Sequence, residues 1–447
     1  MRFLRFKQLS EFIVFYLLSL LVLGIGIAVG VVGFQQQEIR SKTAPGASQQ
    51  QETRSKAAPG TSSCTKVASP NGSDGASGRK SAPFKTAQKL IDSLQPGETG
   101  CLRAGTYTGV PTRGHGTAVS MRRGGTSETQ RIILQNYPGE HVTILAHFSI
   151  EDGAAYITLQ SAPGERWMLK VDGSGGGQSS KPTNQGRVNN DQALNVDGDH
   201  IIIRNIEVTS RNDQLASNKL YKTGTCLSTG NRGPGISADY NLFEGNKIHN
   251  CGVRYNQKDR SYRPNFWPNG AALDNRDSDS PDNHGMYLNT TSTGTIIRNN
   301  LFYDNGEQGI KIGPMPKNAI IENNVFDGNG NNMTFGGSAT NNIVRNNIVT
   351  SPVHTNNARV ATRNEALTGS GNQFIGNCAW DNNPQGANLS LGRGVIESRT
   401  IAKDPMYRDR QAHDYTLSPS SPCLGKGPDF IQPDASEAYP TTGENQP

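Results

Sequence analysis

IIRNNLF at 296–302 returns twice in this chain, as IIENNVF at 320–326 and IVRNNIV at 343–349. The phrases begin about 24 residues apart, and each is a short apolar strand that carries an Asn pair. Shorter alternating strands recur between them at the same interval: GMYL at 285–288, GIKI at 309–312 and NMTF at 332–335. A fixed period of strands and turns without a helix is typical of a solenoid coil.

The residues of one phrase predict how a coil is built. Ile296, Ile297, Leu301 and Phe302 supply an apolar interior, while the pair 299–300 forms the bend between two sheets, because Asn tolerates left-handed backbone. Stacked coils lie about 4.8 Å apart, so successive Asn amides should form a hydrogen-bonded ladder. Weaker copies occur at 201–208, 241–248 and 372–380. We therefore predict an all-β protein, a right-handed parallel β-helix over residues 64–428.

Composition agrees with this fold and says little about partners. The chain has 51 Gly, 33% hydrophobic and 18% charged residues, which suits many thin coils with many turns. The formal charge is +6; residues 1–34 hold three basic residues and one acidic residue, so the remainder carries +4. This is a mild preference for anionic partners.

The amino terminus predicts where the protein is found. Residues 12–34 form an apolar run of 23 residues after Arg2, Arg5 and Lys7, long enough to span a bilayer. We expect an uncleaved signal anchor with residues 1–11 in the cytoplasm and the β-helix outside, in the periplasm or at the cell surface; secretion after signal cleavage is the alternative. The near-duplicate segments at 35–48 and 49–62 predict a disordered linker over 35–63, and 429–447 a disordered tail.

Six cysteines in an exported chain predict disulfides. Cys64–Cys101 is the strongest pairing, since it brackets the one clear amphipathic helix, and 64–107 should form an N-terminal cap that covers the first coil. The helix has its apolar stripe at Phe84, Ala87, Leu90, Ile91 and Leu94. Pairings of Cys226 with Cys251 and of Cys378 with Cys423 follow only from proximity in sequence, and free buried thiols are the alternative.

Aligning the coils predicts an outward row of side chains along one exposed sheet face. The row comprises Asn195, Ser237, Tyr287, Lys311 and Thr334, with Asp197 and Asp239 one step beyond and His284 and Gln308 just before the strand. Two enlarged intervals place insertions at 209–235 and 250–283 beside this face. Such a face is suited to a linear polymer.

The second insertion combines cations with aromatic residues. Guanidinium groups bind carboxylates and aromatic faces stack on sugar rings, so an acidic polysaccharide is the expected partner. A nucleic acid would also fit these side chains, through stacking and phosphate contacts, but none is expected. The predicted substrate-binding residues are Arg254, Tyr255, Arg260, Arg263, Trp267 and Asn195. An alternative is that these aromatics pack on the flank of the β-helix.

Lys311 is the residue we predict to carry chemistry, as a lone cation in the outward row with His284 and Tyr287 one coil away. A neutral lysine can remove the proton alpha to a uronate carboxylate, which leads to β-elimination. Asp197, Asp239 and Asp282 are candidate calcium ligands, although the spacing of acidic residues does not match a calcium loop. An ordinary exposed strand lysine is the alternative.

The chain resembles a known group over residues 64–428. The repeated phrases, CTKVASPNGSDG with PFKTAQKLID and GETGCLRAGTYTG, and the closing DPMYRDRQAHDYTLSPSSPCLGKG are similar to exported β-helix proteins of the pectate-lyase-like superfamily. DNHGMYLN and NGEQGIKIG look most like the pectate lyases of polysaccharide lyase family nine. That resemblance implies a lysine base at Lys311, but Asn283 and His284 stand where the family has paired Asp residues that bind calcium.

Together these patterns predict an extracytoplasmic, monomeric β-helix protein that acts on an acidic polysaccharide, as a polyuronate lyase. One alternative is a noncatalytic carbohydrate-binding or surface protein, and another is a glycoside hydrolase or uronate epimerase. Hydrolysis would need two carboxylates about 5–9 Å apart, for which Asp197 and Asp239 are the obvious pair.

Overall fold

A computed structural model gives the fold of residues 63–433. It describes these residues except 113–115, 176–187, 190–191, 211–220, 223, 231–235, 252–254, 257–260, 263–283, 290, 306–307, 351–358, 362, 366, 382–387, 390 and 392–393. The chain divides into two compact units, Met1–Ala58 and Pro59–Pro447, and every described residue belongs to the second. No helix among the described residues is long and apolar enough to cross a membrane. The predicted anchor at 12–34 and most of the linker at 35–63 lie outside them.

The described residues are dominated by short strands. The strands of the first half are β1 (Lys66–Ala68), β2 (Thr99–Leu102), β3 (Gly105–Thr108), β4 (Val110–Thr112), β5 (Gly116–Met121), β6 (Ile132–Asn136), β7 (Val142–Leu145), β8 (His147–Ile150), β9 (Ile157–Gln160), β10 (Leu169–Asp172), β11 (Val188–Asn189), β12 (Leu194–Val196), β13 (Ile202–Arg204), β14 (Glu207–Thr209), β15 (Tyr221–Lys222), β16 (Leu227–Thr229), β17 (Leu242–Glu244) and β18 (Lys247–His249).

The second half continues with strands of the same kind. They are β19 (Tyr255–Asn256), β20 (Ser261–Tyr262), β21 (Met286–Leu288), β22 (Ile296–Arg298), β23 (Leu301–Tyr303), β24 (Gln308–Ile312), β25 (Ile320–Glu322), β26 (Val325–Asp327), β27 (Asn331–Gly336), β28 (Ile343–Arg345), β29 (Ile348–Thr350), β30 (Arg359–Ala361), β31 (Arg363–Glu365), β32 (Asn372–Ile375), β33 (Cys378–Trp380), β34 (Asn388–Leu389), β35 (Val395–Ser398), β36 (Tyr407–Asp409) and β37 (Asp414–Leu417). Helix α1 (Ala87–Ser93) and 3₁₀ turns at Gly173–Gly175 and Asp429–Ile431 complete the elements.

Three long sheets run the length of the molecule. The first sheet has the order β1-β2-β6-β9-β13-β17-β22-β25-β28-β32-β35, the second β3-β7-β10-β14-β18-β23-β26-β29-β33, and the third β31-β27-β24-β21-β16-β12-β8-β5-β4. The strands pair in parallel except β4 with β5. Each coil takes one strand from each sheet in turn, as β21, β22 and β23 do before β24 begins the next coil. This is the predicted parallel solenoid.

Asparagines hold the corners between the sheets. Asn299, Asn323 and Asn346 have φ of 57°, 53° and 54°, the left-handed conformation that the bend requires. The second Asn of each pair is fully buried and its amide bonds to the next coil: Asn300 Nδ2 to Asn324 Oδ1, and Asn324 Nδ2 to Asn347 Oδ1, both at 2.9 Å. The predicted ladder is confirmed.

Helix α1 covers the first coil. Thr86 caps it by accepting a hydrogen bond from Lys89 N at 3.1 Å, and all five residues of the predicted stripe are buried. Gly100 on β2 allows the close approach, since a Cβ there would lie 2.9 Å from Leu94 Cδ1. The predicted Cys64–Cys101 disulfide is present next to this helix.

The C-terminal strap, residues 401–433, lies across the second sheet. Its hairpin β36–β37 is antiparallel, and its Tyr415, Leu417, Cys423 and Ile431 pack on the outward residues of the sheet. Ile431 is 3% exposed, so the predicted boundary of a disordered tail at 429 was wrong, and folded chain extends at least to 433. Apolar burial is the reason, because Ile431 reaches the sheet beside Ile348.

Beside the predicted Cys64–Cys101 disulfide, the two pairings left open by the sequence, Cys226–Cys251 and Cys378–Cys423, are also formed. Cys378–Cys423 joins the strap to the second sheet. Structural disulfides are characteristic of proteins outside the reducing cytoplasm, which supports an extracellular or periplasmic location.

Candidate functional site

The outward row of the third sheet is the candidate site. Strand register places its members side by side on successive coils: Ser149, Asn195, Ser228, Tyr287, Lys311 and Thr334. We call these six residues the polar row. Asn195, Tyr287, Lys311 and Thr334 were predicted correctly. Ser237 was wrong: Ser228 occupies that coil, because the strand LST at 227–229 carries one apolar residue and lies inside what looked like an insertion.

Four of the six residues in the polar row are buried, although the sequence predicted an exposed face. Ser149 and Asn195 are 1% and 2% exposed, Ser228 and Thr334 are fully buried, and Tyr287 and Lys311 are half-buried. The alternate residues of the same strands point into the core, as the pleat requires. Burial strengthens electrostatic interactions at the four buried members, while Tyr287 and Lys311 stay partly accessible to solvent.

The three predicted catalytic residues lie together. Lys311 Nζ lies 5.2 Å from the centroid of the Tyr287 ring on the neighbouring coil. The Tyr287 and His284 rings meet edge to face with centroids 5.2 Å apart, and His284 is fully buried. The register of β21 on β24 therefore brings an amine, a phenol and an imidazole into one cluster.

Several buried polar atoms on this face have no protein partner among the described residues. They are Asn195 Oδ1, Ser228 Oγ, Thr334 Oγ1 and both amide atoms of Gln308. A buried polar atom without a hydrogen bond costs about 1–3 kcal/mol, so a hydrogen-bonding ligand or water would be favourable at these atoms. Gln308 was seen next to the row from sequence but was not predicted to bind substrate.

The predicted metal ligands do not converge among the described residues. Asp197 is fully buried and accepts a 2.7 Å hydrogen bond from Asn195 Nδ2. Asp239 aligns with Asp199 and not with Asp197: its backbone N donates to Asp199 Oδ1, and its own Oδ1 accepts from Thr293 N, both at 2.7 Å. Burial raises the pKa of Asp239.

Calcium binding by the predicted ligands stays a prediction. Asp239 serves a turn that leads into the first sheet, so the predicted pairing of Asp197 with Asp239 was wrong. No three His, Cys, Asp or Glu side chains of the described chain could together hold a metal ion. The remaining candidate, Asp282, lies outside the described residues.

Most of the predicted substrate-binding residues also lie outside the described part of the chain, namely Arg254, Arg260, Arg263 and Trp267. Tyr255 is in β19, which pairs antiparallel with β20. Asn195 belongs to the polar row.

The second sheet carries a charged cluster that the sequence did not predict. Glu207 lies 3.4 Å from Lys170 Nζ and 3.3 Å from His249 Nε2. Burial opposes ionisation of Glu207, but the hydrogen bond from His249 and the positive charges of His249, Lys170 and Lys247 outweigh it and lower its pKa to about 2. Burial lowers the pKa of His249. Lys170, Glu207 and Lys247 are neighbours on successive strands of the second sheet. Their contact could have been predicted only from a correct alignment of the coils.

The strap is held by a second buried carboxylate. Arg410 binds Asp327 through Nε and Nη2, with the shortest distance 2.6 Å, and Tyr415 and Thr350 donate their hydroxyls to the same carboxylate. Next to it, a cavity of about 190 Å³ is lined by Thr350, Trp380, Asp404, Pro405, Met406, Tyr407 and Arg410. It contains none of the predicted site residues.

Comparisons with known proteins support the fold. Residues 183–349 match the family model described as the right handed beta helix region, and residues 282–437 match one described as disaggregatase related. No curated protein sequence matches the chain.

Solved structures are similar at low identity. The pectate lyase Pel9A is 14% identical with a TM-score of 0.42, covering 76% of this chain and 79% of its own. XylC in complex with xylose is 11% identical with a TM-score of 0.41, covering 74% and 69%. The GH136 lacto-N-biosidase from Eubacterium ramulus is 12% identical with a TM-score of 0.42, covering 75% and 55%. The three parallel sheets show that the described chain folds as a parallel β-helix, and its residues 183–349 match the right-handed form of that fold.

Proposed function

We propose that the protein binds an acidic polysaccharide along the polar row and cleaves it by β-elimination at Lys311. The observation that carries this proposal is the position of Lys311: a half-buried lysine against the Tyr287 ring, in a row where Ser228 Oγ and Thr334 Oγ1 lack protein partners among the described residues. Unpaired donors and acceptors around a cation would suit a ligand with hydroxyls and carboxylates.

In the proposed β-elimination, Lys311, Tyr287 and His284 have separate roles. In its neutral form Lys311 Nζ accepts the proton on the carbon alpha to the uronate carboxylate. A carbon–carbon double bond forms as the bond to the glycosidic oxygen breaks, and that oxygen leaves with a proton donated by Tyr287. His284, in edge contact with the Tyr287 ring, fixes the ring's orientation. The products are an unsaturated uronate end and a new chain end.

Two other functions remain to be separated by experiment. A noncatalytic carbohydrate-binding protein would use the same polar row without chemistry. A glycoside hydrolase would need two carboxylates across the bond, for which Asp197 and Asp239 are the candidates in the described residues.

The test is a panel assay on the full chain. Pectate, alginate and other polyuronates are incubated with the protein, with calcium in one series and a chelator in another. Ultraviolet absorbance of the unsaturated uronate and new reducing ends are both followed. We expect both to rise together on at least one polymer. Reducing ends without absorbance would establish hydrolysis, and neither signal on any polymer would contradict the proposed activity.

A further inference from the structure

Gln308 is the first residue of β24 and lies three residues before Lys311 on that strand. A Cβ on Gly309 would lie 2.8 Å from Asn332 O and 2.9 Å from Phe326 Cδ1, so position 309 faces the interior. Ile310, the next residue, also lies in the core, so the alternation of a pleated strand is interrupted at 309–310 and the preceding coil shows on which side Gln308 lies.

The preceding coil confirms that these two positions share a face. His284 and Tyr287 are the equivalents of Gln308 and Lys311, since Tyr287 is the register partner of Lys311 and Gly285 N donates to Gln308 O at 2.8 Å. Their rings are in contact, with centroids 5.2 Å apart. Gln308 and Lys311 thus form the matching pair on β24.

The Gln308 amide has donors and an acceptor that are not used within the described residues. Its side chain is fully buried, and neither Nε2 nor Oε1 has a hydrogen-bond partner among the described residues. An amide offers two donors and an acceptor, and leaving them all unpaired away from water is costly. Thr334 Oγ1, on the next coil beside Lys311, is buried and unpartnered as well.

We propose that the Gln308 amide recognises the carboxylate of the uronate whose proton Lys311 removes. Nε2–H donates to a carboxylate oxygen, and Oε1 accepts from a neighbouring sugar hydroxyl. A donor at the carboxylate also stabilises the negative charge that spreads onto it when the alpha proton leaves. This inference rests on the proposed function and adds the group that selects uronates over neutral sugars.

Binding without turnover tests this assignment. The parent is the full chain carrying Lys311→Ala, probed by affinity electrophoresis with pectate and alginate and with the same polymers after reduction of their carboxyl groups. Gln308→Leu should weaken polyuronate binding about 10- to 100-fold, because a hydrogen bond to a charged group is lost, and should affect the reduced polymers less. Gln308→Glu should weaken polyuronate binding further and leave the reduced polymers within about tenfold of the parent.

The controls separate this inference from the proposed function. Gln373→Leu, on the outer face of the first sheet, should bind as the parent does, and thermal unfolding reports whether each variant folds. Unchanged polyuronate binding by Gln308→Leu, or equal losses on charged and reduced polymers, would overturn the role of Gln308 alone. A parent that binds no polymer at all would overturn the proposed function together with it.

Discussion

At the residue scale, the two asparagines of the repeated phrase have different structural roles. The first adopts left-handed backbone at the bend, and the second is buried in the ladder. Both roles were predictable, because they depend on local backbone preference and on a period repeated in the sequence. The partners of Glu207 were not predictable, since they depend on the register of coils that insertions separate.

Replacing a ladder asparagine should destabilise the protein strongly. In Asn324→Ala, Asn300 N and Nδ2 lose their acceptor, and Ile297 O loses its donor. Leaving these buried groups unpaired should lower the free energy of unfolding by about 3–5 kcal/mol, measured by chemical denaturation. Asn323→Gly is the matched control, because glycine tolerates φ of 53° and should change stability by less than about 1 kcal/mol. Equal losses would contradict the ladder's role.

Glu207 should make the free energy of unfolding depend on pH in the acidic range. Its pKa is about 2 in the folded protein against about 4.3 when unfolded, so its ionised form stabilises the fold above about pH 4.3. This contribution is lost as pH falls through the folded pKa. Glu207→Gln should therefore flatten the decline of unfolding free energy between about pH 5 and 2, measured by denaturation at each pH. The exposed Glu397→Gln should keep the wild-type decline; a Glu207→Gln curve parallel to wild type would refute the pairing.

At the element scale, the strap is the part that periodicity could not reveal. Residues 404–427 continue the chain without the repeated phrase, and the structure turns them back over the second sheet as an antiparallel hairpin. Its attachment depends on Asp327, which lies in the repeated phrase IIENNVFDG and is paired with Arg410, 83 residues away. A contact between residues so far apart in sequence cannot be recognised in the local sequence pattern.

The Asp327 carboxylate should decide how firmly the strap is held. Asp327→Asn leaves Arg410 beside a neutral amide, which should weaken strap closure by roughly 3 kcal/mol. Amide hydrogen exchange over 404–417 should then be about 100-fold faster, while exchange in β22 and β25 stays unchanged. Asp414→Asn is the control: its ion pair with Arg408 is 4.0 Å long and exposed, so little should change. Uniform acceleration across all coils would mean that the strap does not open separately.

At the scale of the whole molecule, prediction succeeded where the period is regular. From 286 to 350 the coils, the inward columns and the Lys311–Tyr287 contact follow the sequence alignment. The sequence alignment failed at Ser237, because the interval between repeats is enlarged there and the strand at 227–229 was taken as part of an insertion. The burial of four residues in the polar row was also missed, because periodicity specifies which way a side chain points and not what lies over it.

The central claim is that Lys311 removes the proton in a β-elimination at the polar row. The most direct measurement compares the ultraviolet absorbance produced from polyuronate by the wild-type full chain, Lys311→Ala and Lys317→Ala, an exposed lysine in the following turn. The account predicts a steady rise for wild type and Lys317→Ala and a loss of at least about 100-fold for Lys311→Ala. An undiminished rise in Lys311→Ala would contradict it.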